Sequence, residues 1–177
     1  MRGIPLMQLP GNMESLIELR YLEITITDSH LKEIRPGCWT SLQHLGFYDC
    51  DNLECLFEGM QHLTSLRRLV LDGCTNLVSL PRSLKFLAKL EILCVSWCKN
   101  IDLEMEPEEE EDKNLQLSLK TFVVSDSDGF TDLPRLLLER SSTLQQIKIS
   151  NCSNFVVPPP WLQHLIDQNS QLYTRVS

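Results

Sequence analysis

Apolar residues recur along this chain in one frame, Leu-x-x-Leu-x-Leu, beginning at Leu19, Leu42, Leu66, Leu90, Leu119 and Leu144. The anchors lie 23, 24, 24, 29 and 25 residues apart, a spacing typical of stacked repeats of ~20–29 residues. The fullest copy, Leu66 to Pro81, is apolar at its positions 1, 4, 6, 9, 12 and 15, and these six side chains are expected to point inward. Around Leu69-Val70-Leu71 the alternation has the period of two that sends neighbouring side chains to opposite faces of a strand. Each repeat therefore predicts one short strand, and stacked copies predict a parallel sheet. Position 9 is Cys50, Cys74, Cys98 and Cys152 in four copies, Ser127 in a fifth and Thr27 in the first, all small groups that fit where the chain leaves the strand.

After position 15 the pattern continues Pro-x-x-Leu-x-x-Leu, as in Leu80-Pro81 through Leu87 to Leu90, and the three-residue spacing predicts a short helical turn on the outer side. The same ending occurs at Leu9-Pro10 through Leu16 to Leu19. Residues 1–18 thus read as a partial repeat, as if something preceded Met1 in a longer ancestor. Residues 19–157 carry the repeats, and 158–177 read as a capping helix and tail, with Pro158, Pro159 and Pro160 fixing how the chain turns into that helix. The expected fold class is α/β: a leucine-rich-repeat solenoid, or horseshoe, with a parallel concave sheet of about six short strands and short helical or irregular convex segments.

The long interval has a visible cause. Between Leu90 and Leu119 sit Glu104, Glu106, Glu108, Glu109, Glu110, Glu111 and Asp112, which read as an acidic insertion over 104–113 and, as charge blocks commonly are, a solvated, mobile loop. With 16 basic and 24 acidic residues the chain has a formal charge of −8. The insertion accounts for most of it. This balance disfavours nucleic acid as a partner.

Pro5 and Pro10 interrupt any secretory-signal stretch, and no apolar run approaches a membrane span. Seven cysteines at repeat period, not in close pairs, fit a reducing compartment, so a cytoplasmic location is expected. The Asn151-Cys152-Ser153 sequon is then a chance match.

Four cysteines at one repeat position invite a metal reading, but one thiol per parallel repeat makes a line where zinc requires a tetrahedron, and Cys packs readily as a small hydrophobe. Ser125-Asp126-Ser127-Asp128-Gly129 resembles the opening of a calcium loop, yet its glycine comes too early and no Glu closes it. Phosphate-loop, His-Glu-x-x-His and Gly-x-Ser-x-Gly motifs are absent from the sequence, and His30, His44, His62 and His164 share no spacing that suggests a site. The reading is therefore a protein without catalytic residues, metal or cofactor.

Strand residues that alternate with the inward leucines are expected on the concave face: Tyr21, Glu23 and Thr25; His44, Gly46 and Tyr48; Arg68, Val70 and Asp72; Ile92, Cys94 and Ser96; Thr121, Val123 and Ser125; Gln146, Lys148 and Ser150. Tyr, Trp and Arg are common interface anchors. The candidate protein-binding residues are Tyr21, Glu23, His44, Tyr48, Arg68, Asp72, Ile92, Trp97 and Lys148. Trp97, beside Cys98 at a strand end, has the alternative of packing under a neighbouring loop.

The phrase LxxLxLxxCxxLxxLPxxLxxL, seen in Leu77-Val78-Ser79-Leu80-Pro81 and in Asp49 through Leu56, resembles the repeats of plant nucleotide-binding leucine-rich-repeat disease resistance proteins. The resemblance extends from Leu9 to about Trp161. It implies a recognition module of an intracellular immune receptor, whose protein partners would be a pathogen effector, a guarded host protein or the receptor's own nucleotide-binding domain. The phosphate loop of that domain is absent from this sequence, so no residue is assigned to nucleotide. The alternative is a repeat scaffold or substrate adaptor of a ubiquitin ligase, for which the sequence shows no docking motif.

Overall fold

A computed structural model describes residues 16–25, 36–57, 59–108 and 112–176. The start of the expected partial repeat, Thr27, and Glu109 to Glu111 of the acidic segment lie outside the described residues. The described chain forms one all-parallel sheet in an α/β-like arrangement with few helices. Its strands are β1 Tyr21–Ile24, β2 His44–Tyr48, β3 Arg68–Asp72, β4 Ile92–Ser96, β5 Thr121–Ser125, β6 Gln146–Ser150 and β7 Tyr173–Val176, and their order in the sheet is their order in the chain.

The alternation sets the register. Tyr21, His44, Arg68, Ile92, Thr121 and Gln146 stand in line across six strands. One residue further, Leu22, Leu45, Leu69, Leu93, Phe122 and Ile147 form a buried row; two further on, Ile24, Phe47, Leu71, Val95, Val124 and Ile149 form another. Each such side chain contributes roughly 1.5–3 kcal/mol on burial, and a one-residue slip would turn both rows into water.

After β2 to β6 the chain turns through one left-handed residue each: Asp49, Gly73, Trp97, Asp126 and Asn151, with φ between 51° and 70°. Gly, Asp and Asn adopt this region readily; Trp does not. The very next residue carries the position-9 group, and where that is Cys its thiol donates to strand carbonyls, Cys98 Sγ to Ser96 O at 3.3 Å and Cys152 Sγ to Ser150 O at 3.1 Å. Ser127 takes the same place and accepts from the Cys98 amide at 3.0 Å.

A second series, not anticipated from the sequence, lies two residues beyond each Cys. Asn76 Nδ2 donates to Asp51 O at 2.6 Å, Asn100 to Thr75 O at 2.9 Å and Asn154 to Asp128 O at 2.6 Å. These amides pair carbonyls of the loops, which the strands cannot reach. The signal was present as Cys-x-Asn in four repeats.

The return segments are irregular, with 3-10 turns at Met60–His62 and Arg82–Phe86 and one short helix, α1, at Arg135–Glu139. Met60, Leu84, Leu87, Leu136 and Leu137 close the core from that side. Gly129 lies so near the preceding loop that a Cβ would sit 2.7 Å from Lys99 O and Asn100 C.

Three expectations need correction. The sheet has seven strands, because helix α2, Pro160–Gln168, is followed not by a tail but by β7, with Tyr173 paired to Ile147. The acidic segment is not simply a solvated loop: Met105 is buried, and Asp112, with no exposed surface, pairs with Lys85 Nζ at 2.8 Å and Arg82 at 3.1 Å. Trp97 lies in the turn beyond β4 and is 54% exposed, so it is neither on the sheet face nor packed under a loop.

Candidate recognition surface

Strand alternation leaves one face of the sheet without a covering layer among the described residues, and β1 to β3 bring an aromatic and charged group together there. The Tyr21 and His44 rings stack with centroids 4.1 Å apart and planes 7° from parallel. Tyr21 donates its hydroxyl hydrogen to Glu23 Oε1. Gly46 stands opposite Glu23 in the register, and its missing side chain leaves room for the Tyr48 ring: a Cβ there would lie 2.5 Å from Tyr48 Cε2. The Tyr48 ring lies across that gap.

These contacts set the electrostatics. The hydrogen bond to Glu23, with burial and the carboxylate's charge behind it, pushes the Tyr21 hydroxyl up to about 12. Burial first, then Glu23, raises Tyr48 as well. His44 moves down, chiefly by burial and secondly by the Arg68 charge, with Glu23 opposing, so its ring is neutral near pH 7. Its Nε2 is buried without a hydrogen-bond partner among the described residues. Arg68 is exposed and enters no ion pair among them.

Further along, the face is shallow and apolar. Val70 is buried, while Ile92, Cys94 and Val123 are half-buried, and the Ser125 hydroxyl donates to Ser96 Oγ at 3.0 Å. Burial pushes the Cys94 thiol up, away from thiolate. The candidate residues therefore do not form one site: Tyr21, Glu23, His44, Tyr48, Arg68 and Asp72 share β1 to β3, Ile92 adjoins them on β4, and Lys148 stands on β6.

The two rims differ in sign. Where the strands begin, Arg20, Arg67, Arg68 and Lys120 predominate, and Glu91 bridges Arg67 and Lys120, the latter at 3.0 Å. Hydrogen bonding to Lys120, then Arg67, holds the Glu91 carboxyl below its ordinary range. Where the strands end stand Asp49, Asp51, Asp72, Asp126 and Asp128. Asp51 accepts from the Thr75 hydroxyl at 2.8 Å, Asp126 from Asn151 at 3.0 Å and Asp128 from the Ser153 amide at 2.7 Å.

Among the described residues no three or more His, Cys, Asp or Glu side chains are placed to hold a metal ion, and no helix is long and apolar enough to cross a membrane. No protein-family model matches the chain, and no curated protein matches it.

Proposed function

We propose that this chain is a leucine-rich-repeat solenoid acting as the protein-recognition module of an intracellular plant immune receptor, with the open face of β1 to β4 as its contact surface. Its partner is a pathogen effector, a guarded host protein or a nucleotide-binding domain of such a receptor, and its setting is the cytoplasm. The observation that carries the reading is the group Tyr21, Glu23, His44, Tyr48 and Arg68, held side by side by an unbroken register on an uncovered face. Two aromatic rings in a stack and a guanidinium with no ion pair among the described residues are the kind of side chains that anchor protein interfaces. The resemblance of the repeats to those of disease resistance proteins supplies the biological setting.

The test uses a partner recovered from plant cells by proximity labelling with the wild-type chain. Tyr48→Ala combined with Arg68→Ala should weaken its binding by about 2 kcal/mol or more, roughly 30-fold, while the melting temperature stays unchanged. Retained affinity would reject this face.

A further inference from the structure

The backbone ladder runs one residue past the start of each strand and sets the side chains there in rows. The Gln43 amide donates to Arg20 O at 2.9 Å, Arg67 to Gln43 O at 2.9 Å, Glu91 to Arg67 O at 2.8 Å and Lys120 to Glu91 O at 2.8 Å. Arg20, Gln43, Arg67, Glu91 and Lys120 therefore stand side by side. The next row, at the edge of the open face, is Tyr21, His44, Arg68, Ile92 and Thr121. In these two rows four cations, Arg20, Arg67, Arg68 and Lys120, meet one acid, Glu91. The edge is thus net positive in a chain whose formal charge is −8.

Two of the four cations are available. Glu91 is committed to Arg67 and, at 3.0 Å, to Lys120. Arg20 and Arg68 are exposed and enter no ion pair among the described residues. The register gives the reason for Arg68. Its cross-strand partners are His44 and Ile92, neither of them an acid, and Asp72 stands at the far end of the same strand, roughly 13 Å along it. Glu23, the acid of β1, accepts the Tyr21 hydroxyl hydrogen instead. A carboxylate arriving at Arg68 would displace no existing ion pair, and it would meet the Tyr21–His44 stack in the same row.

We infer that the strand-start edge of β1 to β3 receives an acidic segment of a polypeptide partner, with an Asp or Glu carboxylate on Arg68 and a second at Arg20, across the Tyr21–His44 stack. A guanidinium pairs with a carboxylate through two parallel hydrogen bonds, which fixes orientation as well as position. A positive edge on an otherwise acidic molecule also orients the approaching partner, because the rest of the surface repels it. Nucleic acid is the poorer fit: two free arginines about 10 Å apart by strand spacing do not make a continuous track of phosphate contacts. This inference rests on the recognition reading above and gives that face the chemistry of its partner.

The probe is an acetylated, amidated peptide alternating Glu and Gly, compared with its Arg counterpart and with a short single-stranded RNA. Binding is read by the ring resonances of carbon-labelled Tyr21, which Tyr21→Phe identifies by their loss. The Glu peptide should shift them saturably and more weakly as salt is added, and the Arg peptide should not. Arg20→Gln with Arg68→Gln, both at exposed positions, should weaken binding roughly tenfold at an unchanged melting temperature. An absent shift, an equal response to the Arg peptide, tighter binding of the RNA, or undiminished affinity in the Gln variant would overturn the acidic partner. Failure of the open-face reading is a separate result. If the partner recovered from cells loses affinity for Tyr48→Ala with Arg68→Ala while the Glu peptide does not bind, the face stands and the acidic partner falls.

Discussion

Lys85 and Asp112 are 27 positions apart in the chain, yet Lys85 Nζ meets Asp112 Oδ1 at 2.8 Å with almost none of either side chain exposed. The carboxylate's other oxygen accepts from the Glu108 amide at 2.8 Å and from Arg82 at 3.1 Å. One acid of the insertion thereby ties it to the 3-10 turn of the preceding repeat. Removing one member of a buried pair leaves the other charge uncompensated, which costs about 3–5 kcal/mol. Asp112→Ala should destabilise the protein by about 3 kcal/mol, the low end, because Arg82 remains half-exposed and able to turn to solvent. Glu108→Gln, at an exposed pair, should change stability by less than about 1 kcal/mol. Urea unfolding of the two variants checks the contrast.

The same carboxylate makes stability depend on pH. Burial raises the Asp112 carboxyl, but hydrogen bonds from Lys85 and the Glu108 amide, together with the Lys85 and Arg82 charges, outweigh it and hold the group below its ordinary 3.8. A depressed folded value stabilises above the unfolded one and is lost as pH falls through it. Stability should therefore be level from neutral pH down to near 4 in this contribution and decline below, and Asp112→Asn should flatten that decline. An identical acid limb in the variant, measured by urea melts between pH 6 and pH 3, would remove Asp112 from the explanation.

Glu23 controls the ionisation of Tyr21. With tyrosine ring carbons labelled, the Tyr21 resonance should remain that of the protonated ring at pH 11, consistent with a value of about 12. Glu23→Ala removes both the acceptor and the charge, so Tyr21 should ionise closer to its ordinary 10.0. No change in its titration would show that the hydrogen bond is absent in solution.

Two glycines should respond differently to the same substitution. At Gly129 a methyl group would meet backbone atoms of Lys99 and Asn100 at 2.7 Å, and backbone cannot yield cheaply, so Gly129→Ala should cost about 1–3 kcal/mol. At Gly46 the methyl group meets the Tyr48 ring, which can swing away. Gly46→Ala should leave the melting temperature nearly unchanged while moving Tyr48 and altering the Tyr21 titration.

Strand register was legible because the inward Leu, Ile, Val and Phe repeat at a period that only one pairing buries; Leu69, Leu45 and Leu93 lie side by side as their frame requires. The membership of the open face followed from the same alternation. What escaped the reading depends on partners distant in sequence. Asp112 looks like any other acid in its run until Lys85 is brought beside it, and Tyr173 to Val176 lacks the leucine frame although β7 pairs with the edge of β6, the strand of the last repeat. Trp97 sits one residue beyond the strand, where the period of two no longer applies and the backbone turns left-handed.

That left-handed turn makes a further prediction. Trp97→Asn should stabilise the fold by about 1 kcal/mol, since Asn tolerates the conformation and half the indole surface is already in water. A lower melting temperature would mean that the ring packs in solution.

The most direct measurement for the recognition reading is a methyl-labelled NMR spectrum of the chain titrated with its recovered protein partner. Ile92, Val70 and Val123 lie on the open face, whereas Leu84, Leu87 and Leu137 line the opposite side. The account predicts that the first group shifts on binding and the second does not. Shifts confined to Leu84, Leu87 and Leu137 would contradict it and move recognition to the other side of the sheet.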